Sequence, residues 1–79
     1  MNNSEKKIIQ TIAEYLGVSS DDLDRQASLE QELGLGPVEV SDLLNHLAAK
    51  FDLIFKEEEI DNLQTIEDLI VLVEDNLIE

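Results

Sequence analysis

Apolar residues recur at helical spacing in four stretches of the chain. The first stretch runs from about Ser4 to Leu16, and its apolar side chains lie three or four positions apart, which predicts one amphipathic helix. Ser4 is a suitable N-cap, and Gly17 belongs to the residue type that most often ends a helix. The predicted inward stripe consists of Ile8, Ile9, Ile12, Ala13 and Leu16.

A second helix is predicted to begin at Pro37, within the segment "LGLGPVEVSDLL". Proline suits the first helical position because its missing N–H would have no partner there. Gly36 is then the N-cap, and Glu39 occupies the third helical position. Leu35 and Val40 are placed to form a hydrophobic staple across the start of the helix. The predicted inward stripe consists of Val40, Leu43, Leu44, Leu47 and Phe51.

Two further helices are predicted in the last third of the chain. The segment "KEEEIDNL" allows at most two helical turns, with Ile60 and Leu63 as its apolar anchors. The final helix starts at Thr65, and Asp68 three positions later makes a weak version of the capping box. Its predicted inward stripe consists of Ile66, Leu69, Ile70, Val73 and Leu77.

Residues 18–36 form the longest stretch without a regular pattern. Ser19 and Ser28 are of a type that caps single turns. A connection this long must be held by its own apolar side chains, so its leucines are expected to pack against the helices. The pattern predicts one all-α domain over residues 1–79, a four-helix bundle with three longer helices, one short helix and a long first loop. The unevenly spaced apolar residues of this loop are Val18, Leu23, Leu29 and Leu33.

The charge of the chain restricts its partners. The 79 residues include 19 acidic and 5 basic side chains, a formal net charge of −14. Nucleic acids and anionic membranes repel such a chain, because binding to them depends on Lys and Arg. A protein with a basic patch is the partner that this charge attracts. Repulsion among the acids also destabilises the compact state, so added salt or divalent cations are expected to raise the melting temperature.

Candidate catalytic and metal-binding residues are few. The absence of cysteine and the single histidine, His46, leave no disulfide, thiolate site or histidine-based zinc cluster. The segment "DDLDRQASLEQE" lacks the glycine that an EF-hand loop needs. A cation bridging the acidic run at residues 57–59 is left open as a minor alternative. We therefore predict no catalytic residues and no dedicated metal site.

The chain shows no signal for a membrane or a secretory route. The opening residues "MNNSEKKIIQ" lack the apolar core of a signal peptide, and no apolar run approaches the ~20 residues that span a bilayer. A cytoplasmic monomer is the expectation.

The order of these elements resembles the acyl carrier protein family over residues 4–78. The segments "LEQELGLGPVEVSDLLNHLAAKFDLIF" and "TIEDLIVLVE" bear the resemblance. In that family an L-G-x-D-S-L stretch begins the second helix, and its serine is esterified to phosphopantetheine, whose thiol carries acyl chains. The resemblance implies a non-enzymatic partner of acyl-transfer and synthase enzymes. The matching residues are Leu33, Gly34, Glu39, Asp42, Leu43, Leu47, Phe51, Asp52 and Thr65.

The sequence departs from the family at the attachment triplet. Gly36, Pro37 and Val38 stand where the family has Asp-Ser-Leu. Proline has no hydroxyl, so no phosphodiester can form at Pro37. The acid that precedes the family's serine is also replaced, by Gly36. The cofactor that the family implies is therefore not expected here, although the two replacements suit the start of a helix.

The outer face of the second helix is the candidate partner-binding surface. A 100° wheel turns Val38, Glu39, Asp42, Asn45, His46 and Ala49 away from the apolar stripe. In carrier proteins this face docks on basic grooves of partner enzymes, and we predict the same for Val38, Glu39, Asp42, Asn45 and Ala49. His46 is one turn after Asp42, and the two are expected to pair. An ordinary solvated face remains the alternative.

Three functions are compatible with these residues. The first is a non-carrying interaction module for an enzyme of fatty-acid, polyketide or related acyl metabolism. The second is a genuine carrier modified at an unorthodox serine such as Ser41, one turn after Pro37 and about 40° around the helix. The third is an acidic inhibitor or nucleic-acid mimic that binds a basic protein, and net charge alone supports it.

Overall fold

Residues 3–77 are described by the computed structural model, and their regular structure is helical. Helix α1 spans Asn3–Leu16, α2 spans Pro37–Phe51, α3 spans Glu57–Ile60 and α4 spans Ile66–Asn76. A single 3₁₀ turn, Ser20–Asp22, interrupts the first loop. The prediction of three longer helices, one short helix and a long first loop is confirmed.

The ends of α1 were predicted with mixed success. The helix already includes Asn3, so Ser4 lies inside it and its predicted N-cap role is wrong. The C-terminal prediction is confirmed. Gly17 adopts a φ of 75°, and the N–H of Val18 donates to the carbonyl of Ala13 at 3.0 Å, which closes the helix end in the left-handed manner.

Helix α2 begins at the predicted residue, Pro37, and ends at Phe51, the last residue of the predicted stripe. Pro37 is its first residue and Gly36 its N-cap. At the other end Asp52 adopts the left-handed conformation with a φ of 57°, which is uncommon for residues other than glycine. The N–H of Leu53 then donates to the carbonyl of Ala48 at 2.9 Å and closes the helix.

Helix α4 has the complete capping box that the sequence suggested in weak form. The hydroxyl of Thr65 accepts from the N–H of Asp68 at 3.2 Å, and the carboxylate of Asp68 accepts from the N–H of Thr65 at 3.1 Å. The same carboxylate accepts from the N–H of Gln64 at 3.0 Å. Three backbone N–H donors at this helix start are therefore satisfied by two side chains.

One apolar core joins α1, α2 and α4. The predicted stripes supply most of it, and Ala27 and Leu72 are core residues that the periodicity did not single out. Val18 is 45% exposed, whereas the leucines of the first loop pack on the core as expected. The fully buried side chains are Ile8, Ile12, Leu43, Leu47, Ile66, Leu69, Ile70 and Val73.

Backbone hydrogen bonds tie the first loop to the start of α4. The N–H of Leu29 donates to the carbonyl of Gln64 at 2.9 Å, and the N–H of Ile66 donates to the carbonyl of Ala27 at 3.1 Å. Ser28 and Thr65 form an isolated antiparallel bridge between these two contacts. The long loop is therefore fixed over its second half.

The side chain of Arg25 adds an ionic clamp to the same region. Its Nε and Nη2 donate to the two carboxylate oxygens of Glu67 at 2.6 and 3.1 Å, and its Nη1 donates to Glu5 of α1. The hydrogen bond to Glu67 is the largest cause, and the one to Glu5 the second, of a pKa of Arg25 above its usual value. The N–H of Glu67 also donates to the carbonyl of Arg25 at 2.8 Å. One arginine thus links α1, the loop and α4.

Candidate functional site

The start of α2 is capped by its own third residue. The N–H of Gly36 donates to the Oε1 of Glu39 at 2.9 Å, which is one half of a capping box. The other half is missing because glycine has no side chain to accept from the helix. The predicted position of Glu39 is confirmed, and its carboxylate has a definite task in the fold.

Glu39 also occupies the space that a side chain at position 36 would need. A Cβ added to Gly36 would lie 3.0 Å from the Oε1 of Glu39. The side chain of Glu39 would have to move if Gly36 were replaced by a larger residue. A shift of a few tenths of an ångström at the flexible end of Glu39 would make room for a Cβ at this position.

The first two residues of α2 expose apolar side chains to solvent. Pro37 is exposed, and the side chain of Val38 is 68% exposed. Neither has a hydroxyl. The nearest hydroxyl on α2 belongs to Ser41, one turn later, and it is exposed.

The outer face of α2 lies where the sequence placed it. All six of its residues are exposed: Val38, Glu39, Asp42, Asn45, His46 and Ala49. Their orientation is confirmed, while their role in docking stays a prediction.

The negative charge of this face is concentrated in its N-terminal half. Glu39 and Asp42 are its acids, and Glu39 is engaged with the N–H of Gly36. The last turns of α2 present Ala49 and Lys50 to solvent. Asp42 is therefore the acid of the outer face that is available to a partner without giving up a cap.

The predicted pairing of His46 with Asp42 is wrong. The imidazole of His46 instead packs against the ring of Tyr15 on α1, with ring centroids 5.6 Å apart and an angle of 42° between the planes. No ion pair joins Asp42 and His46 in the described part of the chain. This tilted aromatic contact joins α1 and α2 at the surface of the protein.

A groove of about 970 Å³ runs along the other side of α2. We call it the α2 groove. Its walls come from residues 28–31 and 35–36 of the first loop, one side of α2, residues 53–55, and residues 60–61 and 63–65. Six of its apolar lining residues are Leu29, Leu35, Val40, Leu44, Phe55 and Leu63.

Sequence periodicity did not predict this groove. Helical periodicity assigned Val40 and Leu44 to a core stripe, and nothing in the pattern showed that loop residues would leave part of that stripe uncovered. Val40 is only half-buried. The signal that could have indicated the groove is Ile54, an apolar residue in a link with no predicted partner, which is 89% exposed.

The acidic side chains at residues 57–59 either cap the start of α3 or lie exposed to solvent. Glu59 accepts from the N–H of Lys56 at 3.2 Å and from the side-chain amide of Asn76 at 3.4 Å. Glu57 and Glu58 are exposed. Within residues 3–77 no three acidic or histidine side chains converge in a way that could hold a metal ion. None of the described helices is long and apolar enough to cross a membrane.

Comparison with known proteins identifies the family. A family model described as the phosphopantetheine attachment site matches residues 6–73, most of the chain. The chain belongs to the acyl carrier protein family. Members of this family are carrier proteins and not enzymes.

Relatives and solved structures agree with this assignment over the full domain. The acyl carrier protein of Porphyromonas gingivalis, in strains ATCC 33277 and W83, is 26% identical over 77 residues, which cover 98% of this chain and 99% of the relative. The crystal structure of the acyl carrier protein from Thermotoga maritima superposes with a TM-score of 0.76 at 25% identity, covering 95% of this chain and 92% of that one.

A second solved structure supports the fold alone. The apo doublet acyl carrier protein from prodigiosin biosynthesis superposes with a TM-score of 0.72 at 20% identity. The match covers 96% of this chain and 37% of that one. The family and the four-helix fold inferred from the sequence are therefore confirmed.

Proposed function

We propose that this chain is a non-carrying member of the acyl carrier protein family, an interaction module for an enzyme of fatty-acid, polyketide or related acyl metabolism. The observation that carries the proposal is Pro37 at the first position of α2. The family attaches phosphopantetheine to a serine at the start of this helix, and a pyrrolidine ring offers no oxygen for that bond.

The residues around Pro37 support the proposal, because they start α2 without the family's Asp-Ser pair. Glu39 accepts from the N–H of Gly36, so one half of the capping box forms without the aspartate that precedes the family's serine. Proline at the first helical position removes an N–H that would have had no partner. The start of α2 therefore forms without the residues to which the family attaches its group.

The docking role rests on the outer face of α2. Val38 exposes an apolar side chain beside the replaced serine position, and Asp42 supplies a negative charge one turn later. The net charge of −14 attracts a partner with a basic surface. The partner that fits the family is an acyl-transfer or synthase enzyme.

The test is a modification assay read by intact mass. The purified protein is incubated with coenzyme A and a broad-specificity phosphopantetheinyl transferase, with the Porphyromonas gingivalis acyl carrier protein as the positive control. An unchanged mass beside a fully modified control supports the proposal. A gain of one phosphopantetheine would overturn it.

A second candidate, carriage of the group on Ser41, is supported by one observation. Ser41 is exposed and lies on the edge of the α2 groove. Its neighbours, Val40 and Asp42, do not reproduce the family's attachment pattern. The same assay on Ser41→Ala decides the matter, because a mass gain that this substitution abolishes would establish carriage there.

The class of partner is tested by affinity capture from the native source. Recovery of an acyl-transfer or synthase enzyme, lost in Val38→Asp and Asp42→Lys variants, supports the proposal. Recovery of nucleic-acid-binding proteins instead would favour an acidic inhibitor or nucleic-acid mimic.

A further inference from the structure

The one tyrosine and the one histidine of the sequence meet where α1 contacts α2. Tyr15 belongs to the last turn of α1, and His46 lies in the second half of α2. Their ring centroids are 5.6 Å apart, and the ring planes are inclined by 42°. Both side chains are exposed, so the imidazole exchanges protons with solvent. We call this pair the ring clamp.

Histidine is the residue type in this sequence that normally changes its charge near neutral pH. In model peptides imidazole titrates near about pH 6.5, the carboxylates of Asp and Glu near ~4, and the tyrosine hydroxyl near ~10. The sequence has no cysteine. A change between about pH 8 and about pH 5.5 therefore acts on the charge of the ring clamp in particular.

The two protonation states of imidazole interact differently with a tyrosine ring. The neutral imidazole makes a tilted contact between two uncharged rings. The imidazolium is a cation, and a cation within about 6 Å of a ring centroid is attracted by the negative face of that ring. The centroid distance of 5.6 Å satisfies this limit. Protonation should therefore strengthen the contact.

The charged side chains around His46 have to be considered with the ring. On α2, Asp42 and Lys50 lie one turn before and one turn after it, with opposite charges at equal spacing. On α1, Glu14 is the charged residue of the last turn. Within residues 3–77 no ion pair joins His46 to any of these three side chains. Tyr15 is the one side chain whose ring contact with His46 is established.

We propose that the ring clamp is a pH-sensitive fastening between α1 and α2. Protonation of His46 converts a contact between neutral rings into a cation–π contact and holds the two helices together more firmly. A base that gains an attractive partner on folding stabilises the folded state at low pH, and this contribution is lost as the pH rises. The ring clamp is therefore strong at about pH 5.5 and weak at about pH 8. This inference does not depend on the proposed function.

The direct test measures proton binding at His46 by NMR. The imidazole Hε1 shift is followed between about pH 5 and 8 in the unaltered protein, Tyr15→Phe and Tyr15→Leu. Phenylalanine keeps the aromatic ring, whereas leucine keeps apolar bulk without it. Tyr15 is 37% exposed, so both substitutions spare the core, and both variants must retain helical circular dichroism. If Tyr15→Leu does not fold, Tyr15→Met replaces it.

We expect Tyr15→Leu to weaken proton binding at His46 about two- to fivefold, and Tyr15→Phe to change it less than about 1.5-fold. Equal proton binding in all three proteins would overturn the proposal. Equal weakening in both variants would also overturn it, because the effect would then belong to the phenol hydroxyl and not to the ring.

A double-mutant cycle tests whether the contact stabilises the fold. Urea unfolding is measured at about pH 5.5 and about pH 8 for the unaltered protein, Tyr15→Leu, His46→Gln and the double variant. The cycle cancels the unit of net charge that protonation of any histidine would add. The coupling between the two side chains should change the unfolding equilibrium constant about two- to fivefold more at the lower pH. Coupling that is independent of pH, or larger at the higher pH, would overturn the proposal.

The rival explanation is an ion pair that Asp42 forms with the protonated imidazole. The NMR titrations are therefore repeated in an Asp42→Asn background, with and without Tyr15→Leu. The ring clamp requires the same two- to fivefold effect of Tyr15→Leu in this background. Loss of that effect in Asp42→Asn would assign the response to the carboxylate and overturn the proposal.

Discussion

At the scale of single residues, the replaced attachment triplet and Glu39 have to be considered together. Glu39 was predicted from the sequence as a docking acid, and its place at the third helical position was also predicted. What the sequence could not show is that its carboxylate turns back onto the N–H of Gly36. This contact exists only in the assembled helix start, where the two groups come within 2.9 Å of each other.

Restoring the family's serine alone should give poor modification. In Pro37→Ser the hydroxyl returns, but position 36 lacks the acid that precedes the serine in the family. In Gly36→Asp/Pro37→Ser the new aspartate restores the acid and caps the helix, and Glu39 shifts slightly because its Oε1 lies 3.0 Å from the added Cβ. We expect the double variant to be modified by phosphopantetheinyl transferase at least about tenfold faster, or ~1.4 kcal/mol in activation free energy. Equal initial rates by intact mass would contradict this.

Removing the Glu39 carboxylate should destabilise the protein through its cap. Glu39→Ala loses the hydrogen bond from Gly36, and we expect the free energy of unfolding in urea to fall by about 0.5–1 kcal/mol. Asp42→Ala is the control, because it removes the same charge from an exposed position of the same helix. If both variants lose equal stability, the cap contributes nothing beyond charge.

At the scale of elements, the sequence predicted helices better than their ends. The inward stripes of α1, α2 and α4 were predicted correctly because burial of one face fixes the 3.6-residue period. Ser4 was predicted as the N-cap of α1 but lies inside the helix, since serine can serve either as a cap or within a first turn. The end of α2 at Asp52 had no glycine to indicate it.

Replacing Asp52 should stabilise the end of α2. Its φ of 57° is costly for a residue with a Cβ, and its negative charge lies at the unfavourable end of the helix dipole. We expect Asp52→Gly to raise the free energy of unfolding by about 0.5–1 kcal/mol. Asp52→Asn removes the charge and keeps a side chain, so it should give a smaller gain. A loss of stability in Asp52→Gly would contradict the strain argument.

The connection of the first loop to α4 should depend on Arg25. Removing its side chain in Arg25→Ala leaves two acids facing each other across α1 and α4, and we expect a loss of about 1 kcal/mol for this partly exposed network. Arg25→Lys keeps the charge but cannot bind Glu67 through two parallel hydrogen bonds, so it should recover only part of the loss.

Hydrogen exchange distinguishes a local from a global effect of Arg25. The amides of Ile66 and Glu67 donate to carbonyls of the first loop, and they should lose protection in Arg25→Ala more than amides in the middle of α2. Uniform loss of protection would show that the clamp supports the whole fold and not this junction.

At the scale of the whole molecule, the fold and the charge were predictable and the groove was not. Four helical stripes define a bundle, and net charge is a count of side chains. The α2 groove instead depends on how residues 28–31 meet residues 60–65, which follows from the pairing of Ser28 with Thr65. Such long-range pairing leaves no periodic signal in either segment.

Charge repulsion across the whole molecule should make stability increase with salt. The Cα radius of gyration is 11.5 Å, so many of the acids lie within a screening length of one another at low salt. Between about 0.01 and 1 M NaCl the screening length falls from about 30 to about 3 Å, and the melting temperature should rise. Screening also weakens the two ion pairs of Arg25, but the excess of 14 negative charges outweighs them. In Glu57→Gln/Glu58→Gln, which removes two exposed charges, the melting temperature should start higher and rise less steeply. A melting temperature independent of salt in both proteins would show that the acids are too far apart, or too well hydrated, to oppose folding.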